Sequence, residues 1–180
     1  VQHGETIKLT IDSDIQQNLY NQLKEDEGFF VVMNPNTGAL LALVSTPSYN
    51  PNDFVLGMSS EKWNSIKNNE ANPMLVRYLQ SYCPGSTFKP LTGAIGLSTG
   101  SLSADDTFIH NGKSWKKDGW GEHDITTLKP YEGPKNLRNG LIYSDNIYFA
   151  QATIQIGAQN FMNGLKKLKF GENIDFTLSL

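Results

Sequence analysis

Cys83-Pro84-Gly85-Ser86-Thr87-Phe88-Lys89-Pro90-Leu91-Thr92-Gly93-Ala94-Ile95-Gly96-Leu97 is the stretch on which the reading of this chain turns. Pro84 and Gly85 set a turn. From Thr87 to Leu97 the residues read as a buried helix, with Phe88, Leu91, Ile95 and Leu97 as its apolar members. Ser86 then enters at the helix N-terminus, where unpaired backbone N–H groups and the positive end of the dipole suit a developing oxyanion. Lys89 follows three residues later on the same face, within reach of that hydroxyl. A serine hydroxyl is a weak nucleophile until a neighbouring base takes its proton. A lysine serves as that base only when neutral, which burial of the helix would favour. The same residues also admit a plainer reading, with Ser86 capping the helix and Lys89 reaching out to water.

As a pattern Ser-x-x-Lys is weak, because it occurs three times in this chain: Ser59…Lys62, Ser86…Lys89 and Ser114…Lys117. The first lies in a polar stretch that reads as a solvated helix start. The last belongs to the glycine-bounded loop Asn111-Gly112-Lys113-Ser114-Trp115-Lys116-Lys117-Asp118-Gly119. Only the copy at 86–89 adjoins the most apolar helix. A second motif, Ser144-Asp145-Asn146, stands at a short turn between two predicted helices. The Ser144 hydroxyl suits a proton relay between Lys89 and a leaving amine. The Asn146 amide accepts from an ammonium and donates to a substrate carbonyl. Ser144 as an N-cap, with Asp145 in the first helical turn, is the structural alternative, and the two roles are compatible.

Outward from these motifs, Thr6–Ile11 alternates like a half-buried strand, and Asp12 caps a helix carrying Ile15, Leu19 and Leu23. Phe29–Met33 and Ala39–Val44 form the arms of a hairpin around Asn34-Pro35-Asn36-Thr37-Gly38. Both arms are apolar throughout, so burial of both faces between helices is expected. A short helix falls near Ser60–Asn68, and 104–130 reads as short strands and loops. Helices follow around Leu137–Ile142, Ile147–Ile156 and Phe161–Leu168, and Ile174–Leu178 alternates like the start of a strand.

Composition narrows the function. Among 180 residues, 15 are basic and 18 acidic, a net charge of −3, so no basic field attracts nucleic acid or anionic lipid. At 38% hydrophobic the chain is too apolar to be disordered. No apolar run approaches the ~20 residues of a membrane span, and the opening Val1-Gln2-His3-Gly4 does not read as the charged and then apolar pattern of a leader peptide. The single cysteine, Cys83, excludes an internal disulfide and is expected to be a small buried hydrophobe. His3, His110 and His123 are scattered, so neither a metal nor a cofactor is expected. Trp115 and Trp120, beside Lys113, Lys116 and Lys117, read as a structural hairpin rather than a glycan platform. Tyr143 and Tyr148 read as packing, and Arg77 has no evident role.

The chain resembles the transpeptidase domain of class B penicillin-binding proteins, a family marked by S-x-x-K, S-D-N and K-T-G. The likeness rests on Leu9-Thr10-Ile11-Asp12, Val32-Met33-Asn34-Pro35-Asn36-Thr37-Gly38, Pro47-Ser48-Tyr49-Asn50-Pro51-Asn52, Pro84-Gly85-Ser86-Thr87-Phe88-Lys89-Pro90 and Ser144-Asp145-Asn146. Gly112–Lys117 and Ser144–Ala150 are similar to the low-affinity, methicillin-resistance-type subgroup. The resemblance implies an α+β fold of the serine β-lactamase and penicillin-binding-protein type, an antiparallel sheet with helices. It implies that Ser86 attacks the D-Ala-D-Ala end of a peptidoglycan stem and that Lys89 is the base. Ser144 then serves the relay, and Asn146 holds Lys89 and the substrate amide. The resemblance further implies that β-lactam antibiotics trap Ser86 as an acyl-enzyme and that proteins of the wall-synthesis complex are partners. The implied location is the extracytoplasmic face of the bacterial membrane, with an anchor upstream of this chain.

The third motif is missing. No Lys-Thr-Gly, Lys-Ser-Gly or His-Thr-Gly occurs, and Ser98-Thr99-Gly100 follows a helix where that motif should ride a strand. Residues 1–180 are therefore expected to be the N-terminal portion of the domain, ending before the third-motif strand and inactive alone. The competing readings are a β-lactamase, a β-lactam sensor and a non-catalytic wall-synthesis scaffold. A class A β-lactamase needs a deacylating glutamate in a Glu-x-x-x-Asn setting, and Glu172 at the end of a lysine-rich helix does not fit.

Overall fold

A computed structural model describes residues 6–55, 57–110 and 112–173. They divide into two compact units, the first ending at Tyr82 and the second beginning at Cys83.

The first unit is built on a hairpin. Asp12 caps helix α1 (Ser13–Leu23), its carboxylate accepting from the Asp14 and Ile15 backbone N–H groups. Strands β1 (Gly28–Met33) and β2 (Leu40–Thr46) pair antiparallel, with a register irregularity between Val32 and Met33. On one face Ala42, Val44 and Thr46 are buried, opposite Val32, Phe30 and Gly28, and α1 packs against β2. The other face is only partly covered: Tyr82 stacks on Phe29 and the Ser45 hydroxyl bonds the backbone of Leu75 and Arg77, but Phe29, Val31 and Met33 remain exposed. Full burial of both faces is thus not realised here, since a helix covers one side and only an irregular segment reaches the other.

The expected strand over Thr6–Ile11 is absent as well. Near the end of that segment the Thr10 hydroxyl donates to Leu40 O, and the Asp12 N–H just after it donates to Leu41 O. Further along, the Gln16 side-chain amide takes the place of a neighbouring strand. Its Nε2 donates to Leu43 O (2.6 Å) and its Oε1 accepts from Leu43 N (2.8 Å). A strand edge closed by side chains in this way is a poor template for pairing.

Arg77, which had no role in the sequence, is a buried tether. Its guanidinium donates to Glu27 (3.0 Å), Ala71 O and Asn72 O, while its backbone N–H donates to the Ser45 hydroxyl. It ties the connection after helix α2 (Ser60–Lys67) back to the hairpin.

The second unit is mainly helical: α3 (Lys89–Ser98), α4 (Leu137–Ile142), α5 (Asn146–Ile156) and α6 (Ala158–Lys167). Between α3 and α4 runs a long connection in which, among the described residues, only β3 (Ser114–Trp115) and β4 (Ile125–Thr126) pair. The core joins Ile95, Leu102, Leu137, Tyr148, Phe149, Ala152 and Ile156, with Phe161 and Leu165 packed against it. On α3 the buried positions are Thr92, Gly93, Ile95 and Gly96, while Leu97 is exposed. Of the apolar members expected at Phe88, Leu91, Ile95 and Leu97, Ile95 is buried, Phe88 and Leu91 are half-buried and only Leu97 is exposed, because α3 packs closely through its small residues. A Cβ at Gly96 would lie 2.3 Å from Leu102 Cδ1, and one at Gly164 of α6 would lie 2.6 Å from Ile95 Cγ2. Residues 174–178, read as a strand start, lie outside the described residues.

Candidate functional site

Ser86 sits in a single 3-10 turn (Gly85–Phe88) that leads directly into α3, with Gly85 at positive φ as the turn requires. No side chain caps this helix start, so Ser86 is not the N-cap of the plainer reading. Lys89, the first residue of α3, is half-buried and turns inward rather than out to water. Its Nζ is 3.1 Å from Ser86 Oγ.

The other partners of Lys89 come from the turn between α4 and α5. Its ammonium donates to Ser144 O (2.6 Å), Ser144 Oγ (2.9 Å) and Asn146 Oδ1 (2.6 Å). The Ser144 hydroxyl also donates to Ser86 Oγ at 2.9 Å. Asn146 Nδ2 donates to Thr126 O (2.9 Å), which settles the orientation of the amide and leaves Oδ1 facing Lys89. Ser86, Lys89, Ser144 and Asn146, chosen from two distant motifs, thus form one connected hydrogen-bond cluster. The Phe149 ring, with its centroid 5.8 Å from Nζ, supplies an apolar wall.

Ser144 is not the N-cap of α5, as the structural alternative had it. Asp145 is, accepting from the Ile147 and Tyr148 backbone N–H groups, while Ser144 precedes it at φ +53°. Few residues other than glycine adopt this left-handed backbone. Here it aims both oxygens of Ser144 at Lys89. The Asp145 carboxylate is completely buried and also receives the His110 Nε2 proton and the Tyr131 hydroxyl, each at 2.9 Å.

These contacts set the charges. Burial lowers the Lys89 pKa below 10.5, and the nearby Asp145 charge opposes that shift without cancelling it. For Asp145 itself burial pushes the pKa up. The hydrogen bonds from His110, the Tyr148 backbone and Tyr131 outweigh it and hold the carboxyl below 3.8. Burial, followed by the hydrogen bond and charge of Asp145, raises the Tyr131 phenol. Tyr148 is pushed up to about 12, by burial first and then by Asp106.

His110, Tyr131 and the Thr126 carbonyl were not singled out from sequence. They lie in the irregular connection, where no periodicity marks a residue as inward-facing. Cys83, expected to be buried, is exposed. Trp115 and Trp120 meet edge to face at 5.7 Å, and the Lys116 ammonium donates to Gly121 O, a locally self-supported hairpin. The described residues hold no group of three or more His, Cys, Asp or Glu placed to bind a metal.

The family model described as the penicillin binding protein transpeptidase domain matches residues 28–180. The chain belongs to the penicillin-binding protein transpeptidase domain family. Penicillin-binding protein 3 of Bacillus subtilis is 43% identical over 174 residues, covering 96% of this chain and 26% of that protein. Peptidoglycan D,D-transpeptidase MrdA of Escherichia coli K12 is 32% identical, covering 94% and 27% respectively. The chain thus spans about a quarter of the length of these curated relatives. Among solved structures, penicillin-binding protein A of M. tuberculosis as its imipenem acyl-enzyme complex superposes with a TM-score of 0.79. It shares 28% identity and covers 91% of this chain and 40% of that one. The α+β class with antiparallel sheets expected from the sequence is the transpeptidase-domain fold found here.

Proposed function

We propose that the protein carrying this chain is a peptidoglycan D,D-transpeptidase that cross-links stem peptides through an acyl-enzyme on Ser86 and is acylated by β-lactams. One observation carries the reading. Lys89 Nζ has two carbonyl oxygens at 2.6 Å, Ser144 O and Asn146 Oδ1, and the Ser86 hydroxyl at 3.1 Å. Carbonyl oxygens only accept, so when the ammonium gives up its third proton they keep the two N–H bonds of the neutral amine, and the lone pair is left facing the Ser86 and Ser144 hydroxyls to take a serine proton. Burial in the same place lowers the Lys89 pKa toward that neutral form.

The steps follow from this arrangement. Ser86 Oγ gives its proton to Lys89 as it attacks the carbonyl of the penultimate D-Ala. The resulting tetrahedral oxyanion lies by the start of α3, where N–H groups lack intrahelical partners. The C–N bond to the terminal D-Ala then breaks, and the departing amine takes a proton relayed from Lys89 through Ser144 Oγ. An amine from a neighbouring stem attacks the acyl-enzyme, loses a proton to the same relay, and Ser86 Oγ recovers its own. A β-lactam opens its ring on Ser86 by the first step and leaves no separate amine to depart.

Within the family we place the protein beside the methicillin-resistance-type subgroup, on Gly112–Lys117 and Ser144–Ala150. Its substrate places the reaction on the extracytoplasmic face of the bacterial membrane. No helix among the described residues is long and apolar enough to cross a membrane. The 180 residues form the part of the domain that carries the nucleophile and the Ser-Asp-Asn turn, without a Lys-Ser/Thr-Gly. Alone they do not acylate: in the family the chain resembles, the third-motif strand supplies the second oxyanion donor and binds the substrate carboxylate, and losing one oxyanion donor by itself costs about 10²–10³ in rate. Intact-mass analysis with excess penicillin tests both statements. The full-length protein is expected to gain one adduct on Ser86, lost in Ser86→Ala, and the 180-residue chain none. No adduct on the full-length protein overturns the functional reading. An adduct on the isolated chain overturns the claim of inactivity.

A further inference from the structure

The Asp145 carboxylate is better satisfied than a helix cap requires. Its Oδ1 accepts from Ile147 N (2.9 Å) and Tyr148 N (3.2 Å), as an N-cap does. Its Oδ2 accepts two further donors, His110 Nε2 and Tyr131 Oη, from the connection between α3 and α4. An exposed cap would leave that second oxygen to water. Here Asp145 has no exposure, and two side chains replace the water.

Both side chains are themselves held. The His110 ring is 2% exposed, and its Nδ1 has no hydrogen-bond partner among the described residues. An ionised carboxylate only accepts, so the ring carries its proton on Nε2, toward Asp145. Tyr131 stacks on Tyr143 with centroids 4.2 Å apart and planes 10° apart. Lys135 Nζ lies 3.5 Å from the Tyr131 ring centroid and donates to the Tyr131 carbonyl.

What the carboxylate anchors is the point of interest. Ser144, just before it, offers Lys89 a carbonyl and a hydroxyl from a left-handed backbone. Asn146, just after it, offers the third oxygen. A swing of Asp145 would displace all three. We propose that His110 and Tyr131 are positioning residues for acylation, acting through Asp145 to hold the Ser144-Asp145-Asn146 turn against Lys89. The inference rests on Ser86 and Lys89 being nucleophile and base.

Charge adds a second consequence. The titratable groups around Asp145 are His110 and Tyr131 from the connection, Lys89 from α3 and Tyr148 from α5, with Tyr143 stacked on Tyr131. The remaining groups on Lys89 are the two serines and Asn146, all neutral. Taking a donor from Asp145 leaves its negative charge less compensated, which favours the ammonium form of Lys89.

The experiment uses the full-length protein and the variants Tyr131→Phe, His110→Leu and His110→Gln, with penicillin acylation followed across pH. Tyr131→Phe removes one oxygen and keeps the stack, and His110→Gln keeps an N–H donor near the Nε2 position. Tyr131→Phe and His110→Leu are expected to slow the acylation step about tenfold, the scale of one hydrogen bond to a charged group. The dissociation constant of the non-covalent complex should stay unchanged, and the midpoint of the pH profile should move upward. His110→Gln should recover most of the rate. A merely structural role would reduce the active fraction and leave rate constant and midpoint alone, and that result in Tyr131→Phe overturns the inference. A wild-type protein that forms no adduct on Ser86 overturns instead the functional reading beneath it.

Discussion

Residues 59–62 and 86–89 carry the same Ser-x-x-Lys pattern, each at the start of a helix, and meet different fates. At the first, the Ser59 hydroxyl accepts from the Lys62 backbone N–H and caps α2. The Lys62 ammonium turns away to Asp53 at 2.7 Å, with half of its side chain exposed. At the second, the lysine ammonium comes back to the serine hydroxyl because Ser144 and Asn146, more than fifty residues later in the chain, supply its other acceptors. The local pattern offers both geometries. A distant turn selects between them, by replacing the water a lysine would otherwise keep.

Removing each lysine in turn from the full-length protein separates the two sites most strongly. Lys89→Ala is expected to slow acylation by a fluorescent penicillin by about 10²–10⁴-fold, the range of a positioned general base. Lys62→Ala should leave it unchanged, and equal effects would mean that the turn does not distinguish the two sites.

A smaller and more diagnostic effect is the pH profile. The Lys89 pKa is lowered, so the neutral base becomes available at a lower pH than for a free lysine. Acylation should rise about tenfold per pH unit below a midpoint that lies under 10.5 and then level off. A profile without that limb, measured by stopped-flow mixing, would remove Lys89 as the base.

The smallest effect sharpens the other side. Ser59→Ala should cost about 1 kcal/mol of stability, the usual loss of an N-cap, with acylation intact. Chemical denaturation reads the first quantity and penicillin labelling the second.

Much of the fold follows local rules. Asp12 before Ile15, Leu19 and Leu23 announced a capped helix, and turn chemistry at Asn34–Gly38 announced the hairpin between the strands now seen at 28–33 and 40–46. Local pattern fails where it depends on a neighbour. Thr6–Ile11 alternates like a strand, but the Gln16 amide occupies the backbone of Leu43 that a pairing strand would need. Leu97 looked like core, yet α3 is buried through Gly93 and Gly96, because close helix contact favours the small side over the apolar one. Cys83 looked like core for its chemistry alone and lies on the surface.

The site divides along the same line. Local pattern was enough to single out the candidates: the Ser86 and Lys89 pair at a helix start, and a Ser144-Asp145-Asn146 turn able to serve it. That the turn meets the lysine, that Ser144 takes a left-handed backbone to do so, and that His110 and Tyr131 satisfy the buried Asp145 carboxylate depend on the packed fold. The physical reason is range. Caps, turns and helix faces are settled within a few residues and leave a periodic trace. Desolvation of an amine and satisfaction of a buried charge depend on groups from distant parts of the chain, which no local pattern records.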